Sequence, residues 1–332
     1  MGTEIKTVAV ARNAMATRFE IVLHGADEPS LRAAAEDALS EVERLEAQLS
    51  LYRPTSDLAR INARAAFQPV RVEPELFNLL RRAARLHEES GGAFDITIAP
   101  LMRCWGFMGG SGRWPGVEEL AAARAKVGMR HVLLDETELT VRFAVPGMML
   151  DLGAIGKGYA IERAAERLGE AGVTSGLIHG GTSTVYALGQ PPDSSAWRIA
   201  LAHPGAEVSA LTAALDDRSG GLRPPTLGVV SLRDEALSVS AVWGKAFERE
   251  GKVYGHIIDP RTGEPAMGAV LAAVVLRSAT DSDALSTALL TLGMDGYGPI
   301  SGSREGIRLL VAGRDDSDGQ LIVRATGIET SG

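Results

Sequence analysis

The sequence predicts an α+β fold. Segments with strand-like and helix-like patterns follow one another without the regular strand–helix–strand alternation that a parallel sheet requires. The chain has 332 residues, and it shows no repeat of fixed period and no low-complexity tract. This length is enough to bury the core of one large domain or of two intimate ones.

The first part of the chain is predicted to form strands, two long helices and a hairpin. Pro29 opens a helix that runs to about Ser50, because apolar residues recur on one face. A second amphipathic helix runs from Pro74 to Ser90, and Gly91-Gly92 closes it. The other predicted elements are strands at Val8–Ala11 and Phe19–Leu23, a short helix at Val117–Val127, and a hairpin of Val132–Leu134 with Leu139–Val145.

The second part begins with a strand at Met148–Leu150, which leads through a glycine-rich turn to a helix from Tyr159 to Ala171. Val270–Leu276 has the continuous apolar pattern of a buried strand, and Ser282–Leu292 is a predicted helix that Gly293 ends. Further strands are predicted at Gly176–His179, Thr184–Leu188, Trp197–Ala202, Leu227–Leu232, Ala236–Ser240, Val253–Ile258, Arg308–Ala312 and Leu321–Arg324, with a loop at residues 216–225.

The composition excludes several classes of protein. The apolar fraction of 45% is typical of a globular protein, and the formal charge of −8 argues against non-specific binding to nucleic acid. Cys104, the only cysteine, rules out an internal disulfide and a thiolate metal cluster. No apolar run can span a bilayer, and residues 1–10 lack the features of a signal peptide. We therefore expect a cytoplasmic protein without a membrane span.

The glycine-rich turn at residues 151–160 is the first candidate for a binding site. Glycines let backbone amides approach a ligand, a helix N-terminus attracts anions, and Lys157 adds a charge suited to phosphate. A tight strand-to-helix turn explains the same residues equally well. Asp151 stands where a Walker loop needs glycine, and Ile161 stands where the dinucleotide fingerprint needs its third glycine, so neither phosphate motif is present.

The stretch from Tyr254 to Pro265 is the second candidate. Asp259 and Thr262 are typical turn-capping residues, and the prolines stiffen the loop. His256, at the end of a predicted strand, can act as a general base near neutral pH. A structural histidine in the core or on the surface is the alternative.

The third candidate is the predicted helix near residue 283. Asp283 and Thr287 are four residues apart, so they share a helix face, and their oxygens are hard ligands suited to Mg²⁺. The alternative is that Thr280 or Ser282 caps the helix while the acidic residues favour its dipole. The four tryptophans are expected to be packing residues rather than flavin stackers.

In this order, these motifs make the chain resemble the FAD:protein FMN transferases, the ApbE flavin transferase family. The resemblance extends from about Met15 to Gly293, and six matching stretches in family order make it specific. The stretches are Met15-Ala-Thr17, Ser50-Leu51-Tyr52 with Ser56 and Asn62, Gly92 to Leu101, Asp151 to Ala160, His256 to Pro265, and Asp283 to Ala288.

The resemblance implies mixed, largely antiparallel sheets flanked by helices, in a T-fold-like ApbE architecture. Residues 1–332 would form a single domain, or two intimate lobes split near residue 150 with the FAD cleft between them. The implied reaction cleaves the pyrophosphate of FAD with Mg²⁺, passes FMN to a Ser or Thr hydroxyl of an acceptor protein, and releases AMP. The partners are thus FAD and an acceptor protein, and we expect a monomer or a homodimer.

The resemblance also implies roles for individual residues. His256 would be the catalytic base. The metal would bind the carbonyl of Ala154 and the side chains of Asp283 and Thr287, with Ser286 as a further ligand. The implied FAD contacts are Met15, Tyr52, Ala93, Phe94, Asp95, Asp151, Lys157 and the backbone near Ile257.

Two segments depart from the family pattern where substrate contacts are expected. The family's Asn-Gly-Gly-Gly-Asp is here His179-Gly-Gly-Thr-Ser183, and its Thr-Ser-Gly is Ser240-Ala-Val242, followed by Trp243-Gly-Lys245. Two alternatives to flavin transfer therefore remain. They are an FAD pyrophosphatase that makes FMN and AMP, and a flavin-binding protein without catalysis.

Overall fold

A computed structural model shows a fold that is built on strands. It describes residues 4–204, 211–213, 225–315 and 317–330. The strands in the described part of the chain are β1 (Lys6–Ala14), β2 (Thr17–Gly25), β3 (Val70–Arg71), β4 (Val132–Asp135), β5 (Thr140–Phe143), β6 (Ser175–Gly180), β7 (Thr184–Gly189), β8 (Trp197–Ala202), β9 (Leu211–Ala213), β10 (Thr226–Leu232), β11 (Glu235–Ala241), β12 (Ala246–Arg249), β13 (Lys252–Gly255), β14 (Leu271–Leu276), β15 (Arg308–Arg314), β16 (Leu321–Thr326) and β17 (Glu329–Thr330).

Helices lie between these strands. They are α1 (Glu28–Leu49), α2 (Asp57–Arg64), α3 (Pro74–Glu89), α4 (Ala99–Cys104), α5 (Val117–Arg124), α6 (Gly156–Glu170), α7 (Ala279–Leu292) and α8 (Tyr297–Ser301), with short 3-10 turns at Met129–His131 and Gly293–Gly296. The predicted α+β class is confirmed. In the described residues, no helix is both long and apolar enough to cross a bilayer.

The central sheet has eight strands in the order β1-β2-β6-β7-β11-β14-β15-β16, and its neighbouring strands are antiparallel. A four-stranded sheet, β17-β10-β8-β9, covers part of it. β3, β5 and β4 form a small third sheet, and β12 pairs with β13 in a hairpin.

Strand β14 shows how the central sheet is covered on both faces. Ala272 and Val274 pack into the core that the helices share, whereas Leu271, Ala273 and Val275 pack against the four-stranded sheet. Successive side chains of a strand point to opposite faces, so a strand that is buried on both sides needs a continuous apolar run. The buried strand predicted at Val270–Leu276 is therefore confirmed.

The long helices match their sequence patterns closely. α1 and α3 begin and end within one residue of the predicted bounds, because their apolar faces and their proline and glycine ends are local signals. Two other helices begin earlier than predicted. α6 begins at Gly156 instead of Tyr159, so two of the loop glycines belong to its first turn. α7 begins at Ala279, and Ser278 caps it rather than Thr280 or Ser282.

The strand predicted at Met148–Leu150 is wrong. The described structure assigns this segment to no strand. Its backbone is held by the Asn62 side chain, whose Nδ2 donates to the Leu150 carbonyl at 3.0 Å and whose Oδ1 accepts from the Leu150 amide at 2.7 Å. The predicted loop at residues 216–225 lies, apart from Pro225, outside the described residues.

Candidate functional site

A cleft of about 390 Å³ opens where the first turn of α6 meets one face of α7. The end of β11, the turn between β6 and β7, and the segments 93–102 and 256–260 complete its walls. Its volume lies in the range of small-molecule sites. Of the residues proposed from the sequence, it is lined by Ala93, Phe94, Asp95, Asp151, Ala154, Lys157, His256, Ile257, Asp283 and Thr287.

The structure places three proposed residues outside this lining. Tyr52 is 70% exposed, and the negative charge of Asp151 contributes, after desolvation, to its raised pKa. Met15 lies in the two-residue turn between β1 and β2 with φ of +49°, an unusual conformation for a residue with a side chain. Ser286 is fully buried, and its hydroxyl faces Ser240 at 2.8 Å.

Gly158 brings the two central helices into contact. A Cβ atom at this residue would lie 2.3 Å from the Ala279 carbonyl oxygen and 2.6 Å from Cβ of Asp283. With only a hydrogen there, the Gly158 amide reaches Asp283 and donates to its Oδ2 at 2.9 Å. Gly158 lies in the first turn of α6, where a backbone amide has no carbonyl partner within the helix; the first helical bond runs from the Tyr159 amide to the Ile155 carbonyl at 3.0 Å. The Asp283 carboxylate therefore supplies the partner of this amide, and Ala154, in the turn before α6, lines the cleft.

Asp283 and Thr287 present oxygen atoms on the α7 side of the cleft. Burial raises the pKa of Asp283, and the positive charge of Lys157, the Gly158 amide and the Ser238 hydroxyl act against this rise. The Thr287 hydroxyl is 3.3 Å from the carbonyl oxygen of Asp283, its acceptor within the helix, so its lone pairs face away from that bond. A carboxylate, a carbonyl and a hydroxyl are hard oxygen donors that suit Mg²⁺.

Lys157 is the cation on the α6 side of the cleft. Its ammonium group donates to the hydroxyl of Ser183 at 2.7 Å. Among the described residues, Lys157 forms no salt bridge with a carboxylate. Its positive charge is therefore available to an anionic ligand.

His256 also lines the cleft. Its Nδ1 is 3.3 Å from the Lys245 carbonyl, which can only accept, so Nδ1 carries the proton and Nε2 keeps its lone pair. Desolvation lowers the pKa of His256, and the charges of Lys245 and Lys157 lower it further, against the effect of the carbonyl bond. The imidazole is thus neutral near pH 7 and can accept a proton at Nε2.

Two carboxylates that line the cleft form hydrogen bonds within their own loops. Asp95 Oδ1 accepts from the amide and the hydroxyl of Thr97 at 2.7 and 2.6 Å, and its Oδ2 lies 3.3 Å from His87 Nδ1. Asp151 Oδ1 accepts from the Gly153 amide at 2.8 Å, and desolvation raises the pKa of Asp151. Both oxygens of Asp95 are therefore engaged by neighbouring residues of the protein, while Asp151 stabilises its own loop through Oδ1.

Sequence reasoning missed several residues of the cleft. Thr182, Ser183 and Ser240 line it; they belong to the two altered segments where substrate contacts were expected, but none of them was assigned a role. Trp243, expected to be a packing residue, is 41% exposed and also lines the cleft. Its place directly after the altered segment 240–242 is the signal that could have found it.

The model of the ApbE family matches residues 1–309 of this chain. The FAD:protein FMN transferase of Vibrio cholerae serotype O1 is 30% identical over 297 residues, which make up 88% of this chain and 82% of that protein. The FAD:protein FMN transferase of Treponema pallidum is 33% identical over 271 residues, 80% of this chain and 73% of that protein.

Solved structures show the same likeness. The flavinyl transferase ApbE of Pseudomonas stutzeri, in its apo form, matches with a TM-score of 0.82 and 30% identity over 97% of this chain and 95% of that chain. The ApbE protein of Thermotoga maritima matches with a TM-score of 0.80 and 27% identity over 96% of both chains. The architecture expected from the sequence is confirmed.

Proposed function

The chain belongs to the ApbE family of FAD:protein FMN transferases, and we propose that it uses Mg²⁺ to transfer FMN from FAD to a Ser or Thr hydroxyl of an acceptor protein. The acceptor oxygen forms a bond to the phosphorus of the FMN half, and the bond from that phosphorus to the AMP half breaks. AMP leaves, and the acceptor stays linked to FMN by a phosphoester.

We propose that the Ala154 carbonyl, Asp283 and Thr287 hold the metal. The oxygen donors at the contact of α6 and α7 support this assignment, because they combine one carboxylate with two neutral ligands. Ser286 supports the site indirectly: its hydroxyl donates to the Asp283 carbonyl at 2.9 Å and leaves its lone pairs toward Ser240. When bound, Mg²⁺ neutralises charge on the diphosphate oxygens.

The other residues of the cleft act on FAD and on the acceptor. Lys157 places its charge against the diphosphate, where negative charge moves to the leaving phosphate during transfer. His256 Nε2 takes the proton of the acceptor hydroxyl, a role that contributes about 10²–10⁴-fold. Ala93, Phe94 and Ile257 offer apolar surface to the flavin.

One observation carries the proposal: a cation, an imidazole with a free Nε2, and hard oxygen donors face the same cleft. This is the set of groups that transfer from a diphosphate to a hydroxyl requires. The location in the cytoplasm, the division near residue 150, and the choice between monomer and homodimer stay predictions.

The test is incubation with FAD, Mg²⁺ and candidate acceptor proteins, followed by denaturing gels read by flavin fluorescence. We expect a fluorescent adduct that survives denaturation, with AMP released in equal amount. Replacement of His256 by alanine should abolish the adduct, and chelation of Mg²⁺ should do the same. AMP release without an adduct on any acceptor would identify an FAD pyrophosphatase instead. Tight FAD binding without turnover would identify a flavin-binding protein.

A further inference from the structure

Ser183 lies beside the cation of the cleft, in the short turn between β6 and β7. The turn is fixed to the neighbouring strand, because the Gly181 amide donates to the Arg18 carbonyl at 2.8 Å. Gly181 has φ of +64°, and a Cβ atom there would lie 2.3 Å from the hydroxyl of Thr17. The position of Ser183 is therefore set by the sheet and not by the ligand.

The hydroxyl of Ser183 has a defined direction. It donates to the Gly180 carbonyl, with 3.4 Å between the oxygens, and so turns a lone pair toward Lys157, whose ammonium donates to it at 2.7 Å. A hydroxyl acceptor is neutral, so this bond orients the lysine without cancelling its charge. A carboxylate at the same place would form an ion pair and would compete with an anionic ligand for the ammonium group.

We propose that Ser183 is a positioning residue that holds the Lys157 ammonium toward the diphosphate of FAD. This inference rests on the proposed function. Lysine has four rotatable side-chain bonds, and ordering them when the ligand binds costs affinity. With Ser183 in place, one of the three ammonium donors is anchored before FAD arrives, and the other two remain for phosphate oxygens.

The test is a double-mutant cycle read by equilibrium binding of FAD, with binding of riboflavin as the control ligand that lacks phosphate. Ser183→Ala should weaken FAD binding by about tenfold, the effect of one hydrogen bond to a charged group, and should leave riboflavin binding unchanged. In a Lys157→Ala background the same change should alter FAD binding by less than about twofold. Ser183→Thr keeps the hydroxyl and should restore binding, whereas Ser183→Asp should weaken it more than alanine does.

Either of two results with Ser183→Ala would overturn the inference: an equal effect with and without Lys157, or an equal loss for FAD and riboflavin. Failure of Ser183→Thr to restore binding, in a protein with unchanged urea midpoint, would do so as well. Because these readouts measure binding, they are independent of transfer. A wild-type protein that forms no adduct refutes the proposed function, and the cycle still decides the role of Ser183.

Discussion

Replacement of Gly158 by alanine is expected to push α6 and α7 apart. The new Cβ atom would lie 2.3 Å from the carbonyl oxygen of Ala279 and 2.6 Å from Cβ of Asp283. Neither atom is at the end of a flexible side chain, so the backbone has to move. Overpacking of this kind lowers the free energy of unfolding by about 1–3 kcal/mol. Lengthening or breaking the hydrogen bond from the Gly158 amide to the Asp283 carboxylate lowers it by about 1.5–3 kcal/mol more.

Alanine also favours the helix by about 1 kcal/mol relative to glycine, which offsets part of the loss. We therefore expect Gly158→Ala to lower the free energy of unfolding by about 2–5 kcal/mol, with urea denaturation as the assay. Gly169 is the matched control, because it lies in the same helix and a Cβ atom added there would meet no described heavy atom within 4 Å. Gly169→Ala should raise stability by roughly 0.5–1 kcal/mol.

The two variants should thus move stability in opposite directions. Mg²⁺ titration adds a second readout, because a shift of α7 displaces Asp283 from Ala154 and should weaken metal binding in Gly158→Ala alone. If both variants were equally stable and bound Mg²⁺ as wild type does, the close contact of α6 and α7 would not be what forms the site.

Three further outcomes are expected. Asp281→Asn should lower the free energy of unfolding, measured by urea denaturation, by about 3–5 kcal/mol. Burial raises the pKa of this carboxyl, but the Arg82 bond at 2.6 Å helps to hold that pKa below its usual range. A loss under about 1 kcal/mol would contradict this. Thr280→Val should stabilise by about 1 kcal/mol in the same assay, because the buried hydroxyl has no hydrogen-bond partner in the described structure; destabilisation would refute it. The rate of adduct formation should rise with pH through a value below about 6.5, which the lowered pKa of His256 sets. Lys245→Gln should shift this rise in rate to higher pH. If the rise did not shift, His256 would be excluded as the base.

The parts of the fold that the sequence predicts are those with local causes. The ends of α1 and α3 follow from proline, glycine and a repeated apolar face within one segment. Met148–Leu150 has the apolar character of a strand, but the group that holds it is the Asn62 side chain, 88 positions away in the chain. No pattern within three residues can reveal such a partner.

The same distinction applies to the site. Lys157, His256 and Asp283 stand in motifs, so the sequence alone indicates their chemistry. Ser183 and Ser240 reach the cleft only because the central sheet places the ends of β6 and β11 beside α6 and α7. Tertiary placement decides which serines face a ligand, and the residue type alone does not.

The absence of one side chain accounts for two features of the cleft at once. Because Gly158 has no Cβ, α6 and α7 can touch, and its amide, which has no partner within the first turn of α6, can reach Asp283. The proposed metal ligands thus come from two segments that meet here: the turn before α6, which holds Ala154, and α7, which holds Asp283 and Thr287. A ligand bound at such a contact stabilises the fold by mass action, so stability and metal affinity at this site are linked.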